Sequence, residues 1–188
     1  MTEQKLVILD RDGVINHDSD AYVKTVDEFQ LIDGSATAIA ELTQAGFKVV
    51  VATNQSGLAR GYFTPATLDA MHAKMHAAVE QAGGEIHAVV HCPHGPDDGC
   101  DCRKPLPGLI DQLEQQLSQT AKGWPLVGDS LRDLQAGVAK GCIPILVKTG
   151  KGEKTWQKLQ QQSEPGLDKV AVFDSLSQAA THIIQHYG

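Results

Sequence analysis

Short apolar runs alternate with amphipathic stretches along the whole chain. The first run, residues 5–9 (KLVIL), is long enough for one buried strand, and it stops at two carboxylates, Asp10 and Asp12, followed by Gly13. Residues 16–33 are polar and without a sustained period, which predicts a loop, at most a short hairpin, above that pair. Ala36, Ile39, Ala40 and Leu42 recur at helical spacing and Gly46 suits the position just past a helix, so a helix is predicted over 34–45. Residues 47–52 (FKVVVA) form a second buried strand that ends on TNQSGLARG. Thr64 and Pro65 supply an N-cap and a proline at the first helical position. The helix they open carries Leu68, Met71, Met75 and Val79 on one stripe and ends at Gly83-Gly84.

A third strand is predicted over 86–91, then a loop rich in Cys, Gly, Pro and Asp over 92–105. Pro107 opens a helix with Leu109, Ile110, Leu113 and Leu117 inward. A strand over 124–127 runs into Gly128-Asp129-Ser130, where Asp129 or Ser130 caps a helix reaching about residue 140, with Leu131, Leu134 and Val138 inward. Residues 143–147 are a further strand. The Gln-rich stretch 148–168 reads as a peripheral loop with at most a turn or two of helix around Trp156. The last strand spans 170–173, and Leu176, Ala179, Ala180, Ile183, Ile184 and Tyr187 stripe the final helix.

Such alternation predicts an α/β fold, a mostly parallel sheet with helices on both faces, in one domain over 1–188. Ligands of such sheets bind beyond the C-terminal strand ends, at the point where the strand order reverses. The residues to examine are therefore Asp10, Asp12, Thr53, Asn54, Arg103, Lys104, Asp129 and Asp133.

The 41% hydrophobic and 21% charged content is that of an ordinary globular chain. A net charge of −7 argues against a nucleic-acid surface, while leaving room for an anionic small substrate met by local cations or a metal. The first apolar run is too short for a signal peptide, and no stretch approaches a membrane span, so a cytoplasmic protein is expected, with no membrane partner. Three of the four cysteines, Cys92, Cys100 and Cys102, crowd together, which favours a metal over disulfides. Cys142, in GCIPI, reads as a small buried hydrophobe.

The strand-end residues form a phosphoryl-transfer set. Asp10 can act as nucleophile and form an aspartyl-phosphate. Asp12 can protonate the leaving oxygen and later activate water, which calls for a raised pKa. Magnesium suits Asp10 and Asp129, and Thr53 and Lys104 can hold the non-bridging oxygens where charge builds up.

DRDGV at 10–14, TN at 53–54, RKP at 103–105 and GDSLRD at 128–133 resemble, in order and spacing, the four motifs of the haloacid dehalogenase (HAD) phosphatase superfamily. The resemblance covers about residues 5–150 and implies a HAD-like, Rossmann-type three-layer fold with strand order 5-4-1-2-3. It implies Asp10 as nucleophile, Asp12 as general acid/base, and a magnesium held by Asp10, the Asp12 backbone carbonyl and Asp129. TNQSGLARGYF, together with Cys92-Pro93-His94 and CDCRKP, is similar to the D-glycero-D-manno-heptose 1,7-bisphosphate 7-phosphatases and to the closely related histidinol-phosphatases. The DRDGVIN start and the chain length favour the heptose enzymes. These remove the 7-phosphate on the route to ADP- or GDP-heptose for lipopolysaccharide and surface glycans. The implied substrate contacts are Asp18, Tyr22, Thr53, Asn54, Gln55, Ser56, Arg103 and Lys104. One departure is that the family's DHGYV is DSDAYV here, an extra residue and a lost glycine, which alters the contacts expected at 18–22.

Cys92, His94, Cys100 and Cys102 have the ligand types of a structural Cys₃His zinc site. The resemblance implies that role, and such a site would order a loop too polar to fold on its own and so place Arg103 and Lys104. The complete set of strand-end residues speaks against an inactive zinc-stabilised binding module. The missing cap insertion speaks against a mutase or phosphonatase. The expected partner is a phosphorylated sugar met by a monomer. His17 and Arg60 are equally readable as substrate contacts or as surface. Ser130 reads as a helix cap and Asp133 as support behind a ligand. Lys140, Lys148, Lys151 and Lys154, the helix pairs His72/His76 and His182/His186, and the strand-end His91 are read as structural or solvated.

Overall fold

A computed structural model describes residues 4–188; the first three residues of the expected domain lie outside the described residues. Six strands and six helices alternate: β1 (Leu6–Leu9), α1 (Ser35–Gln44), β2 (Lys48–Asn54), α2 (Pro65–Gln81), β3 (Ala88–Cys92), α3 (Gly108–Leu117), β4 (Pro125–Gly128), α4 (Leu131–Ala139), β5 (Ile143–Val147), α5 (Gly152–Gln161), β6 (Ala171–Phe173) and α6 (Leu176–Tyr187). The sheet is parallel throughout, in the order β3-β2-β1-β4-β5-β6. This is the predicted order with a sixth strand added at the β5 edge.

Side chains alternate across each strand, so β1 and β2 feed two cores. Val7, Leu9, Val49 and Val51 face one way, against Ile39 and Leu42 of α1, the Leu68–Met71–Met75–Val79 stripe of α2, and Ala179, Ala180 and Ile183 of α6. Leu6, Ile8, Val50 and Ala52 face the other way, against Leu109, Ile110 and Leu113 of α3 and Ala136 of α4, and Cys142 is buried there as expected. Each fully buried aliphatic side chain stabilises the fold by roughly 1.5–3 kcal/mol relative to its exposed state. The N-cap of α2 forms as read: Thr64 Oγ1 accepts from the Thr67 N–H at 3.2 Å.

Leu9 lies beside Val51 of β2 and Val127 of β4. The chain leaves β1 toward β2 and β3 and returns to lay β4 on the opposite side of β1. The strand order therefore reverses at β1, and Asp10, Thr53 and Asp129 emerge at neighbouring C-terminal ends.

Three elements differ from the sequence reading. The stretch predicted as a loop around Trp156 contains the ten-residue helix α5. Its Gln and Lys residues are good helix formers, and its thin apolar edge, Trp156 and Leu159, packs on a small third cluster of Leu134, Leu146 and Leu167. The second strand runs two residues further, through Thr53 and Asn54, and the third reaches Cys92, so the first clustered cysteine is a strand residue. Segment 16–33, by contrast, is the loop expected, fastened by one antiparallel bridge, with His17 N–H donating to Gln30 O and Ile32 N–H to Ile15 O, both at 2.9 Å. It buries Val23 and Phe29 against the main core.

Candidate active site

The end of β1 sets the centre. The Asp10 N–H donates to Val127 O at 2.9 Å, which draws the residue toward β4. Gly13 has φ +85° and any β-carbon there would collide with the Asp129 carboxylate, so only glycine lets these strand ends approach.

Lys104 is almost wholly buried, and its Nζ donates to Asp10 Oδ1 (2.9 Å), Asp133 Oδ1 (2.7 Å) and Ala52 O (2.8 Å). Its backbone is held separately. The Asn54 side chain accepts from the Lys104 N–H at 3.0 Å and donates to Lys104 O at 3.1 Å. The other Asp133 oxygen accepts from both the N–H and the hydroxyl of Ser130 (3.0 and 2.8 Å), which fixes the start of α4. Asp129 accepts from the Lys151 N–H at 2.9 Å, and its carbonyl accepts from the Thr155 hydroxyl at 2.8 Å.

Asp12 turns away from this cluster. Its Oδ1 accepts from Arg11 Nη2 (2.8 Å) and Asn16 Nδ2 (2.9 Å), and its Oδ2 accepts from Gln55 Nε2 (2.8 Å). Gln55 also donates to the Thr53 hydroxyl at 2.9 Å.

The two aspartates are tuned in opposite directions. Burial, then the Asp133 charge, raises Asp10 to about 7, although Lys104 pulls the other way. Burial, then Asp10 and Asp133, raises Asp129 to about 9. Burial also works to raise Asp12, but the Arg11 charge and the Arg11, Asn16 and Gln55 hydrogen bonds outweigh it and hold Asp12 below the usual carboxylate range. The raised pKa expected for Asp12 is thus not found, because three donors converge on it. Asp133 is lowered too: burial is outweighed by Lys104 and Ser130. Burial opposes the Lys104 charge, yet Asp10 and Asp133 raise its pKa well above the ordinary lysine value.

Among the described residues, two groups of side chains fit cations. Single carboxylate oxygens of Asp10, Asp129 and Asp133 lie within 4.8 Å of one another. Three buried acids with one lysine between them leave negative charge for a cation to balance, and oxygen donors suit a hard one. At the end of β3, Cys92 Sγ lies 3.7 Å from Cys100 Sγ and 3.5 Å from His94 Nδ1, with Cys102 Sγ 3.4 Å from the same nitrogen. Ordinary metal–sulfur and metal–nitrogen bond lengths place the corners of a tetrahedron about 3.8 Å (S···S) and about 3.5 Å (S···N) apart. These three separations match such corners, and all four donor atoms lie within 4.8 Å of one another. Burial and the neighbouring thiols raise Cys102 to about 12, so a cation is needed to hold it as thiolate near neutral pH.

A cavity of about 200 Å³ opens above the strand ends. Among the expected residues, Asp10, Asp12, Asp18, Tyr22, Asn54, Gln55, Ser56, Arg103, Lys104 and Asp129 line it. Thr53 does not: it is buried with its hydroxyl against Gln55. His17 and Arg60 are exposed and outside the lining, the Arg60 guanidinium sitting 5.6 Å over the Tyr22 ring. Lys151 is not the plain surface lysine expected, since it lines the cavity and its Nζ lies 3.5 Å from Asp18 Oδ2. Arg11 and Arg132 also line the cavity and were missed. Arg11 could have been found from its place between two aspartates, because a buried guanidinium needs a carboxylate. His72 is half-buried beside Arg11 rather than on the surface.

A reversing parallel sheet whose C-terminal ends gather an Asp-x-Asp strand terminus, a buried lysine and a second acidic turn defines a phosphoric monoester hydrolase of the HAD type. The sequence accords with this. Residues 101–179 match the HAD-hydrolase-like family profile, and residues 5–136 match that of the polynucleotide kinase 3 phosphatases. The chain is 52% identical over 180 residues to the D-glycero-beta-D-manno-heptose-1,7-bisphosphate 7-phosphatase of Pseudomonas putida, covering 96% of this chain and 99% of that one. It is 53% identical over 181 residues to the protein of the same name from Neisseria meningitidis, covering 96% and 95%. The crystal structure of the D,D-heptose 1,7-bisphosphate phosphatase from B. bronchiseptica, complexed with magnesium and phosphate, superposes with a TM-score of 0.90 at 54% identity, covering 96% of this chain and 98% of that one. The chain belongs to the D-glycero-beta-D-manno-heptose-1,7-bisphosphate 7-phosphatase family.

Proposed function

We propose that this chain hydrolyses the 7-phosphate of D-glycero-beta-D-manno-heptose 1,7-bisphosphate. The observation that carries the reading is the Asp10 carboxylate beside the buried Lys104 at the point where the strand order reverses, with Asp129 within reach of the same cation. The names of the close relatives supply the substrate and its anomer. The bisphosphate reading places the chain in heptose supply for surface glycans. The clustered thiols, kept reduced as ligands, favour the cytoplasm.

Asp10, the Asp12 backbone carbonyl and Asp129 would hold magnesium, which when bound neutralises charge between the acids and the phosphoryl oxygens. Lys104 fixes Asp10 Oδ1 through its hydrogen bond and leaves Oδ2 for attack on phosphorus. As the Asp10 O–P bond forms, the bond from phosphorus to the heptose O7 breaks, and Asp12 delivers a proton to O7. Asp12 is ionised in the arrangement described above, and the approach of a phosphate dianion favours its taking up that proton. Asp12 then removes a proton from the water that attacks the aspartyl-phosphate, releasing phosphate and restoring Asp10. Gln55 and Asn16 orient Asp12, while Arg103, Asn54, Ser56, Asp18 and Tyr22 are the sugar-side contacts. Thr53 supports Gln55 and so reaches the phosphate indirectly. Cys92, His94, Cys100 and Cys102 would hold a structural zinc outside the reaction. One domain spans the whole chain, and it acts as a monomer.

Phosphate release from the heptose bisphosphate and from histidinol phosphate, compared as kcat/KM, tests the reading. A large preference for the bisphosphate is expected; a preference for histidinol phosphate overturns it.

A further inference from the structure

Arg11 is only 1% exposed and its Nε has no hydrogen-bond partner, so its two Nη groups carry all of the guanidinium's hydrogen bonds. Nη2 donates to Asp12 Oδ1 at 2.8 Å. On the far side of the guanidinium, His72 Nε2 of α2 lies 3.3 Å from Nη1, with Met71 Sδ at 3.9 Å. The Phe29 ring lies 5.2 Å from Cζ. Arg11 is thus gripped between the strand end, the second helix and the loop above the site.

The two polar partners differ in kind. Asp12 is anionic. His72 is neutral, because burial, then the charges of Arg11, His91 and His76, lower its pKa to about 3. A neutral acceptor satisfies the outer edge of the guanidinium without drawing on its charge. A carboxylate in that place would compete with Asp12 for Arg11; an apolar side chain would leave Nη1 buried without a strong acceptor.

We propose that His72, as the tautomer protonated on Nδ1, is a positioning residue for the hydrolysis: it fixes the rotation of the Arg11 guanidinium, which in turn fixes the Asp12 carboxylate. The inference rests on the reading of Asp12 as the acid/base group. Arg11 is the link, and the second helix is the rigid body against which the proton donor is aligned. A misaligned donor slows proton transfer and leaves sugar and phosphate contacts unchanged, so the effect falls on kcat.

Steady-state kinetics of H72L, H72Q, R11M and the R11M/H72L double variant, on the full chain with magnesium, test this. H72L is expected to lower kcat about tenfold to a hundredfold, the range found when an outer hydrogen-bond partner is lost, with KM changed less than about twofold. H72Q, which keeps an acceptor, restores most of kcat. The double variant is no slower than R11M, because His72 acts through Arg11. Wild-type kcat in H72L, or effects of the two substitutions that multiply, overturns the proposal. Should H72L fail to fold, the ¹⁵N shifts of the wild-type imidazole decide: an unprotonated Nε2 at pH 7 supports the proposal, and a protonated Nε2 overturns it. D12N is measured alongside. Full turnover in D12N overturns the acid/base reading itself, whereas an inactive D12N beside a fully active H72L overturns only the role of His72.

Discussion

Asp10 and Asp12 leave the same strand two residues apart and meet opposite surroundings. Asp10 faces two other acids and one lysine; Asp12 faces an arginine and two amides and is held ionised. D10N is expected to lower turnover by at least about 10³-fold while preserving the fold, measured by single-turnover phosphate release and circular dichroism. Lys104 is the only basic side chain paired with Asp10 and Asp133 among the described residues. K104M, which keeps the length of the side chain and removes the charge, is expected to destabilise the metal-free protein by ~3–5 kcal/mol, read from urea unfolding in EDTA. The motif residues were legible because each follows an apolar run that names its strand. The direction in which Asp12 is tuned was not, because Arg11, Asn16 and Gln55 converge on it from three segments. Nor was the place of Lys151, whose polar, Gln-rich surroundings in sequence give no hint that its backbone is tied to Asp129.

At the scale of elements, the sequence alternation gave the strands and helices and the reversal at β1. It missed α5 because a helix with one thin apolar edge shows little period. The loop over 92–105 was legible from its ligand types and the family resemblance, but what it positions is narrower than expected. Arg103 depends on it, since Nη1 donates to His94 O at 3.3 Å. Lys104 is clamped from the sheet by Asn54 instead. Zinc removal is therefore expected to raise KM for the bisphosphate by several-fold and to lower kcat much less. Chelator treatment followed by steady-state kinetics in magnesium, with zinc counted by atomic emission, checks this. A parallel fall in kcat would mean that the loop also holds the lysine.

For the whole molecule, the acid cluster links stability to pH and to the cation. Asp10 and Asp129 have folded pKa values of about 7 and about 9, against 3.8 for an ordinary aspartate. The folded state thus binds more protons than the unfolded chain between those limits, and the metal-free protein loses stability as pH rises through that window. Cation binding requires the ionised acids, so the rise in Tm given by magnesium is expected to be large at pH 8.5 and small at pH 5.5. Differential scanning calorimetry at both values, with and without magnesium, measures it; an equal rise at both would contradict the linkage. No helix among the described residues is long and apolar enough to cross a membrane. The split at Arg103-Lys104 has a consequence for descent. Adjacent residues answer to different parts of the molecule, one to a loop and one to the sheet. Mutation can therefore explore the residues between Cys92, His94, Cys100 and Cys102, and through them the setting of Arg103, while the clamp of Asn54 on Lys104 is left intact. A lineage built this way can change its diet without relearning its chemistry.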